Sequence, residues 1–272
     1  MTERARPTRI ETLGFGLALL AGFWLRLTAL DVHSLWFDEC GTLAVALADD
    51  PLATLRADRH PPLSFFAFRA WVALFGESDA AVRALPALVS CATLVLFAVW
   101  VRRVATGAVA VLAAWLLAVA PYQVWMAQEV RMYPFVELGA VLVLLGSCLA
   151  SERRVVGATV VALGTALALG SHYLGACVAG LTLAVGSNWK ERRHAAFGAA
   201  LGLLLWVPWL LVSLRDQMQS GWGDTVKLSA RDLAELGPRL FVVEMDAVPA
   251  RWRGIAYALG ALCWGALARC AW

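Results

Sequence analysis

The chain has 272 residues, of which 61% are hydrophobic and 16% charged, and its mean hydropathy is +0.69. That balance excludes an ordinary soluble domain. The formal net charge of +3 is too small to indicate a nucleic-acid partner, so the basic residues are read as topology signals.

Apolar runs recur along the whole sequence, each near the roughly 20 residues that a bilayer-spanning helix requires. In chain order the predicted spans are Leu13–Leu30, Arg83–Val101, Ala108–Tyr122, Pro134–Ala150, Val155–Ser171, Tyr173–Ser187, Ala195–Leu214 and Gly254–Ala268. The expected class is therefore an all-α polytopic membrane protein with about eight transmembrane helices. Arg4, Arg6 and Arg9 precede the first span, Arg102 and Arg103 follow the second, Arg153 and Arg154 follow the fourth, and Lys190, Arg192 and Arg193 follow the sixth. If the spans alternate, all these clusters fall on one side, which the positive-inside pattern makes cytoplasmic together with the N-terminus. The first run lacks a small-residue cleavage site before its polar flank, so it reads as a retained span rather than a signal peptide.

The opposite side then receives the loop Asp31–Val82, the segment Pro121–Tyr133, the corner His172-Tyr173 and the loop Arg215–Arg253. Residues 1–214 read as a transmembrane core and 215–272 as an outer loop with a last span. Five of the six cysteines, Cys91, Cys148, Cys177, Cys263 and Cys270, lie in or beside apolar spans, where cysteine acts as a small hydrophobe. Cys40 faces the outer side with no evident partner.

The first outer loop is too long for a plain connector. It carries Asp38-Glu39 just past the first span, two short predicted helices, Pro51–Ala57 and Pro62–Phe75, and the cluster Asp58-Arg59-His60-Pro61-Pro62 between them. The second helix is apolar and aromatic but too short to span, so it is placed in the membrane interface. An ionised Asp at the bilayer centre costs about 2.5–3.5 kcal/mol; Asp38 and Glu39 belong in a watery or interfacial setting. Their plain alternative is that Asp38 caps a helix Glu39–Ala48. Glu129 and Arg131 are two apart, which does not place them on one helix face, so separate partners are expected. His172-Tyr173 reads first as an interfacial anchor. The Gly198-Ala199-Ala200-Leu201-Gly202 stretch is read as ordinary small residues in an Ala-rich span rather than as a close-packing motif. Gly14-Phe15-Gly16 lacks the strand and third glycine of a dinucleotide loop.

In order and topology, Ser34-Leu35-Trp36-Phe37-Asp38-Glu39, His60-Pro61-Pro62-Leu63, Gln128-Glu129-Val130-Arg131-Met132-Tyr133 and His172-Tyr173 resemble the glycosyltransferase family 39 type. These are GT-C-fold enzymes, including protein O-mannosyltransferases and lipid A aminoarabinose transferases. The resemblance covers roughly Leu25 to Trp222, and the chain is short at its C-terminus for that family. It implies transfer of a sugar from a polyprenyl-phosphate donor to a lipid, glycan or protein acceptor; the charge bias puts this on the extracytoplasmic face, and the Arg- and Ala-rich, lysine-poor composition suggests a bacterial plasma membrane. Asp38 would be the base or metal-linked acid, with Glu39 supporting it. Arg59, His60, Glu129, Arg131, Tyr133, His172 and Tyr173 would bind the substrate, and Trp36 is placed to line a sugar. A divalent cation, Mg2+ or Mn2+, on Asp38 and Glu39 is left open. Two rivals remain: a transporter or flippase, for which Glu137 inside a span is the one supporting residue, and a non-catalytic subunit that works with a partner chain.

Overall fold

The computed structural model describes residues 8–57, 60–184 and 189–219, and every regular element among them is a helix. α1 (Arg9–Leu27) starts on a reciprocal cap: Glu11 N–H donates to Thr8 Oγ1 at 3.2 Å, and Thr8 N–H donates to the Glu11 carboxylate at 2.9 Å. Between α1 and the next long helix stand α2 (Phe37–Ala46), α3 (Pro51–Ala57) and α4 (Leu63–Phe75). Then come α5 (Asp79–Val104), α6 (Gly107–Val119), α7 (Pro121–Ala127), α8 (Tyr133–Glu152), α9 (Arg154–Ser171), α10 (Gly175–Ala184), α11 (Trp189–Leu204) and α12 (Val207–Gln219).

Among the described residues, α1, α5, α8, α9 and the stretch Arg192–Ser213 are long and apolar enough to cross a membrane. The pair α6–α7, bent by 54°, makes a sixth if counted as one span. Six of the eight expected spans fall on these elements. The expected Tyr173–Ser187 contains only the 10-residue α10 among its described residues, too short to cross, and Gly254–Ala268 lies outside the described residues.

The bend has a local cause. Pro121 has no N–H to give to the Leu117 carbonyl, so the ladder breaks there. In an apolar setting the freed carbonyls need donors, and Arg26 of α1 supplies them: Nη2 reaches Leu117 O at 3.0 Å and Nη1 reaches Ala118 O at 2.7 Å. Its Nε donates to Ser90 Oγ of α5 at 3.0 Å, so one buried guanidinium ties three helices.

α2 begins two residues earlier than expected. Trp36 is its N-cap residue, and Asp38 sits inside the first turn rather than capping it. α3 has the predicted bounds. α4 turns Phe65, Phe68 and Val72 inward against Val82, Val130 and Phe135, with Phe68 edge-on to Phe135 at 5.9 Å, while Phe66 and Phe75 face outward. Burying a Phe side chain contributes about 1.5–3 kcal/mol, so α4 is a wall of the bundle as well as a surface helix. Its Arg69 donates to Ala46 O and Ala48 O at 3.0 and 2.8 Å and closes the C-terminus of α2.

α8, α9 and α11 pack through glycine. A methyl added at Gly164 would lie 2.7 Å from Gly139 O, and one at Gly202 would lie 2.6 Å from Ala162 O; at Gly198 it would collide with Ala158 O. The Gly198–Gly202 stretch is therefore a close-approach surface after all, because both glycines face α9 backbone. One end of the bundle gathers the C-termini of α1, α7 and α9 with the N-termini of α5 and α8; Arg103 and Glu152 pair at 3.1 Å at the other.

Candidate functional site

Glu39 is the third residue of α2, and its carboxylate is wholly buried. Arg83, one turn into α5, donates Nε to Oε1 at 2.9 Å and Nη2 to Oε2 at 2.6 Å. The Val130 N–H adds a bond at 3.0 Å and the Trp36 N–H one at 3.2 Å. Arg83 also donates to the carbonyls of Leu30, His33 and Ser34. The pair thus fixes three chain segments around one carboxylate, and every lone pair of Glu39 is engaged.

Asp38 precedes it by one residue and is turned about 100° round the helix. Its side chain is 41% exposed, and Oδ2 lies 4.0 Å from Arg131 Nη2. Arg131, whose side chain is 13% exposed, directs Nη1 to Asp38 O at 3.2 Å and to Thr42 Oγ1 at 3.0 Å. Thr42 donates in turn to Asp38 O at 2.9 Å. The arginine is therefore held against the backbone of Asp38 and only grazes its carboxylate.

From Arg131 a strip of rings runs along the end of the bundle. The guanidinium stands 5.9 Å from the centre of the Tyr133 ring, Tyr133 is 6.2 Å from His172, and His172 is 5.6 Å from His60, which leans on Phe65. His172 closes the C-terminus of α9. Its Nδ1 accepts the Leu174 N–H at 3.0 Å, which assigns its proton to Nε2. Burial holds the imidazole below the ordinary histidine value, with His60 and Arg131 adding to the effect.

Glu129 is buried between α7 and α8, and the Trp36 indole N–H donates to its carboxylate. Burial raises its pKa above the ordinary carboxylate value, against the downward pull of that indole bond. Glu129 and Arg131 do take separate partners, Trp36 and Asp38.

The structure thus joins Asp38, Arg131, Tyr133, His172 and His60 in one strip, with Glu39 and Glu129 beneath it. Tyr173 leaves the strip: its hydroxyl accepts the Trp209 indole N–H at 3.2 Å, and its ring lines an apolar groove of about 600 Å³ with Leu169, Leu203 and Val207. Arg59 lies outside the described residues. Arg83 and Thr42 were not anticipated. Arg83 opens a predicted span, where it passes for a boundary charge; the available signal was that an arginine inside an apolar helix needs an acid or carbonyls.

Of the two acids left open for a divalent cation, Asp38 keeps an exposed carboxylate and Glu39 does not. Glu39 is closed by Arg83, Glu129 by Trp36, and no three His, Cys, Asp or Glu side chains converge among the described residues.

The profile of the dolichyl-phosphate-mannose-protein mannosyltransferases matches residues 59–212, more than half of the chain. Two solved structures share the fold. One is a protein O-mannosyltransferase complex of S. cerevisiae bound to the sugar donor, 17% identical over 85% of this chain with a TM-score of 0.57. The other is an Archaeoglobus fulgidus oligosaccharyltransferase tethered to an acceptor peptide, 15% identical over 94% of this chain with a TM-score of 0.55. The chain spans 36% and 38% of those two solved chains. None of the curated proteins matches it.

Proposed function

Because this chain belongs to the dolichyl-phosphate-mannose-protein mannosyltransferase family, we propose that it moves one sugar from a polyprenyl-phosphate donor to an acceptor hydroxyl on the extracytoplasmic face of the membrane. The observation that carries this reading is the division of labour between two adjacent acids. Glu39 is consumed by Arg83, whereas Asp38 stays half-exposed beside Arg131 at the end of the bundle.

Asp38 takes the proton of the acceptor hydroxyl. The acceptor oxygen bonds to the anomeric carbon as the bond from that carbon to the phosphate oxygen breaks, and the lipid phosphate leaves with the electron pair. A positioned general base is worth about 10²–10⁴-fold. The leaving phosphate needs charge and hydrogen bonds; the outer edge of Arg131 and the His172 Nε2–H supply them. One displacement with one base inverts the anomeric centre, and no second carboxylate nucleophile is needed. A phosphate carried by a membrane lipid sits at headgroup level, where an open helix-end site meets it. The basic clusters at the opposite end support the extracytoplasmic placement. The relatives bound to the sugar donor and to an acceptor peptide support both substrate classes, and the two-chain yeast complex supports a partner subunit.

The test is transfer from a radiolabelled polyprenyl-phosphate mannose by the full chain in proteoliposomes. Asp38→Asn is expected to lower kcat by about 10²–10⁴-fold with donor binding retained. Undiminished transfer by that variant refutes the assignment.

A further inference from the structure

Trp36 is held in a way that neither packing nor membrane anchoring explains. It is the N-cap residue of α2, two residues before Asp38; its backbone N–H goes to Glu39, and its carbonyl accepts the Cys40 N–H at 3.0 Å. A packing tryptophan buries its ring, yet this residue is 45% exposed. A tryptophan of the interfacial belt points its N–H toward water or headgroups and its carbon faces toward lipid. Here the arrangement is inverted. The N–H points inward to Glu129, which is only 8% exposed, while Trp36 as a whole stays nearly half exposed. Phe37, next in sequence and 87% exposed, has no such tether and suits an anchoring role.

A buried acid that fixes a surface indole by its polar edge makes a rigid flat platform with a negative π-face. The complementary ligand is a flat ring with a face of polarised C–H groups, which is the chemistry of a pyranose. We propose that Trp36, oriented by Glu129, is a platform for a sugar ring beside the Asp38 carboxylate. The proposal rests on the sugar-transfer reading of the same site, and it makes Glu129 a positioning residue that acts through Trp36 rather than a phosphate ligand. The ring belongs either to the donor's transferred sugar or to a glycan acceptor.

The experiment uses the full chain in proteoliposomes with polyprenyl-phosphate mannose, the sugar-free polyprenyl phosphate, and a mannoside acceptor. If the platform holds the donor sugar, Trp36→Ala weakens binding of the mannose donor about tenfold, while the sugar-free lipid binds as before. If it holds the acceptor, both lipids bind as before and the acceptor KM rises about tenfold. In either case Trp36→Phe loses less, Glu129→Ala reproduces Trp36→Ala, and Glu129→Gln, which keeps an acceptor for the indole N–H, restores most of the loss. Because Trp36→Phe and Glu129→Gln preserve shape, they separate this effect from misfolding. Trp36→Ala within twofold of the parent in all three measurements, with the parent active, overturns the platform alone. A parent chain that neither binds the donor nor transfers sugar overturns the transferase reading and the platform with it.

Discussion

Replacing Arg83 by methionine keeps an unbranched side chain of similar length on α5 and removes every donor that Glu39 faces from that helix. The Glu39 carboxylate then loses contacts at 2.9 and 2.6 Å and retains only the N–H groups of Val130 and Trp36. Both side chains are nearly inaccessible, at 8% and 0% exposure, so solvent screening does not soften the loss. Removing one partner of a buried ion pair costs about 3–5 kcal/mol, because the other charge stays in a poor medium. The carbonyls of Leu30, His33 and Ser34 lose their donors as well, which places the cost at the upper end. For a chain of this size that is a fall in Tm on the order of 10 °C, read from thermal aggregation of the detergent-solubilised protein. Arg83→Lys keeps the charge without the two-pronged geometry and falls between. The double variant Arg83→Met with Glu39→Gln recovers a large part of the loss, since the stranded charge is gone. A single Arg83→Met with Tm within about 2 °C of the parent, well short of the estimate above, refutes the idea that this pair holds the loop.

Two further outcomes follow from packing and titration. Gly202→Leu places a side chain against Ala162 O and Thr165; forcing α11 off α9 costs about 1–3 kcal/mol, whereas Ala200→Leu on the exposed side of the same helix leaves Tm unchanged. Glu129 titrates above its ordinary value of 4.5 because of burial, so between 4.5 and its folded value the native state holds more protons than the unfolded one. Stability contributed by this group therefore falls as pH rises through that window. Glu129→Gln is expected to raise Tm at pH 7.5, with the gain shrinking as pH falls toward 4.5; a gain independent of pH contradicts the burial argument.

Class, most spans and the gathering of the acidic motif with the Glu129–Arg131 segment at one end were legible because each rests on a local signal. Hydropathy marks α1, α5, α8 and α9 whatever their neighbours, and charge alternation sends the acidic motif and the Glu129–Arg131 segment to one end; the bend at Pro121, inside the expected span Ala108–Tyr122, was not anticipated. What escaped depends on contacts between distant residues. Glu39 and Arg83 are 44 positions apart, and nothing in either local sequence says that they meet. The cap of α2 was misplaced because Asp is a better N-cap than Trp, while here the third residue, Glu39, answers the Trp36 N–H from inside the helix. Glycine spacing in α11 was undecidable from composition, since an Ala-rich span supplies such spacings by chance; only the presence of α9 backbone at Ala158 and Ala162 makes them contacts.

Arginines within or beside apolar helices perform the same task at three places. Arg26 serves the carbonyls freed by Pro121, Arg69 those at the end of α2, and Arg83 those of Leu30, His33 and Ser34. Each removes an unsatisfied backbone group that an apolar setting penalises; Arg26 ties α1 to α5 and α6, Arg69 ties α4 to the end of α2, and Arg83 ties α5 to the segment leading into α2. Arg131 departs from this pattern in one respect that bears on chemistry. Its Nη1 is committed to Asp38 O and Thr42, yet its Nη2 stops 4.0 Å from the Asp38 carboxylate. Arg83 holds Glu39 in a close two-pronged pair, and Arg131 makes no such pair with Asp38. The longer separation leaves that carboxylate exposed to a proton donor while its backbone is fixed. Two acids adjacent in sequence thereby differ in setting, because one arginine grips a carboxylate and the other grips a carbonyl.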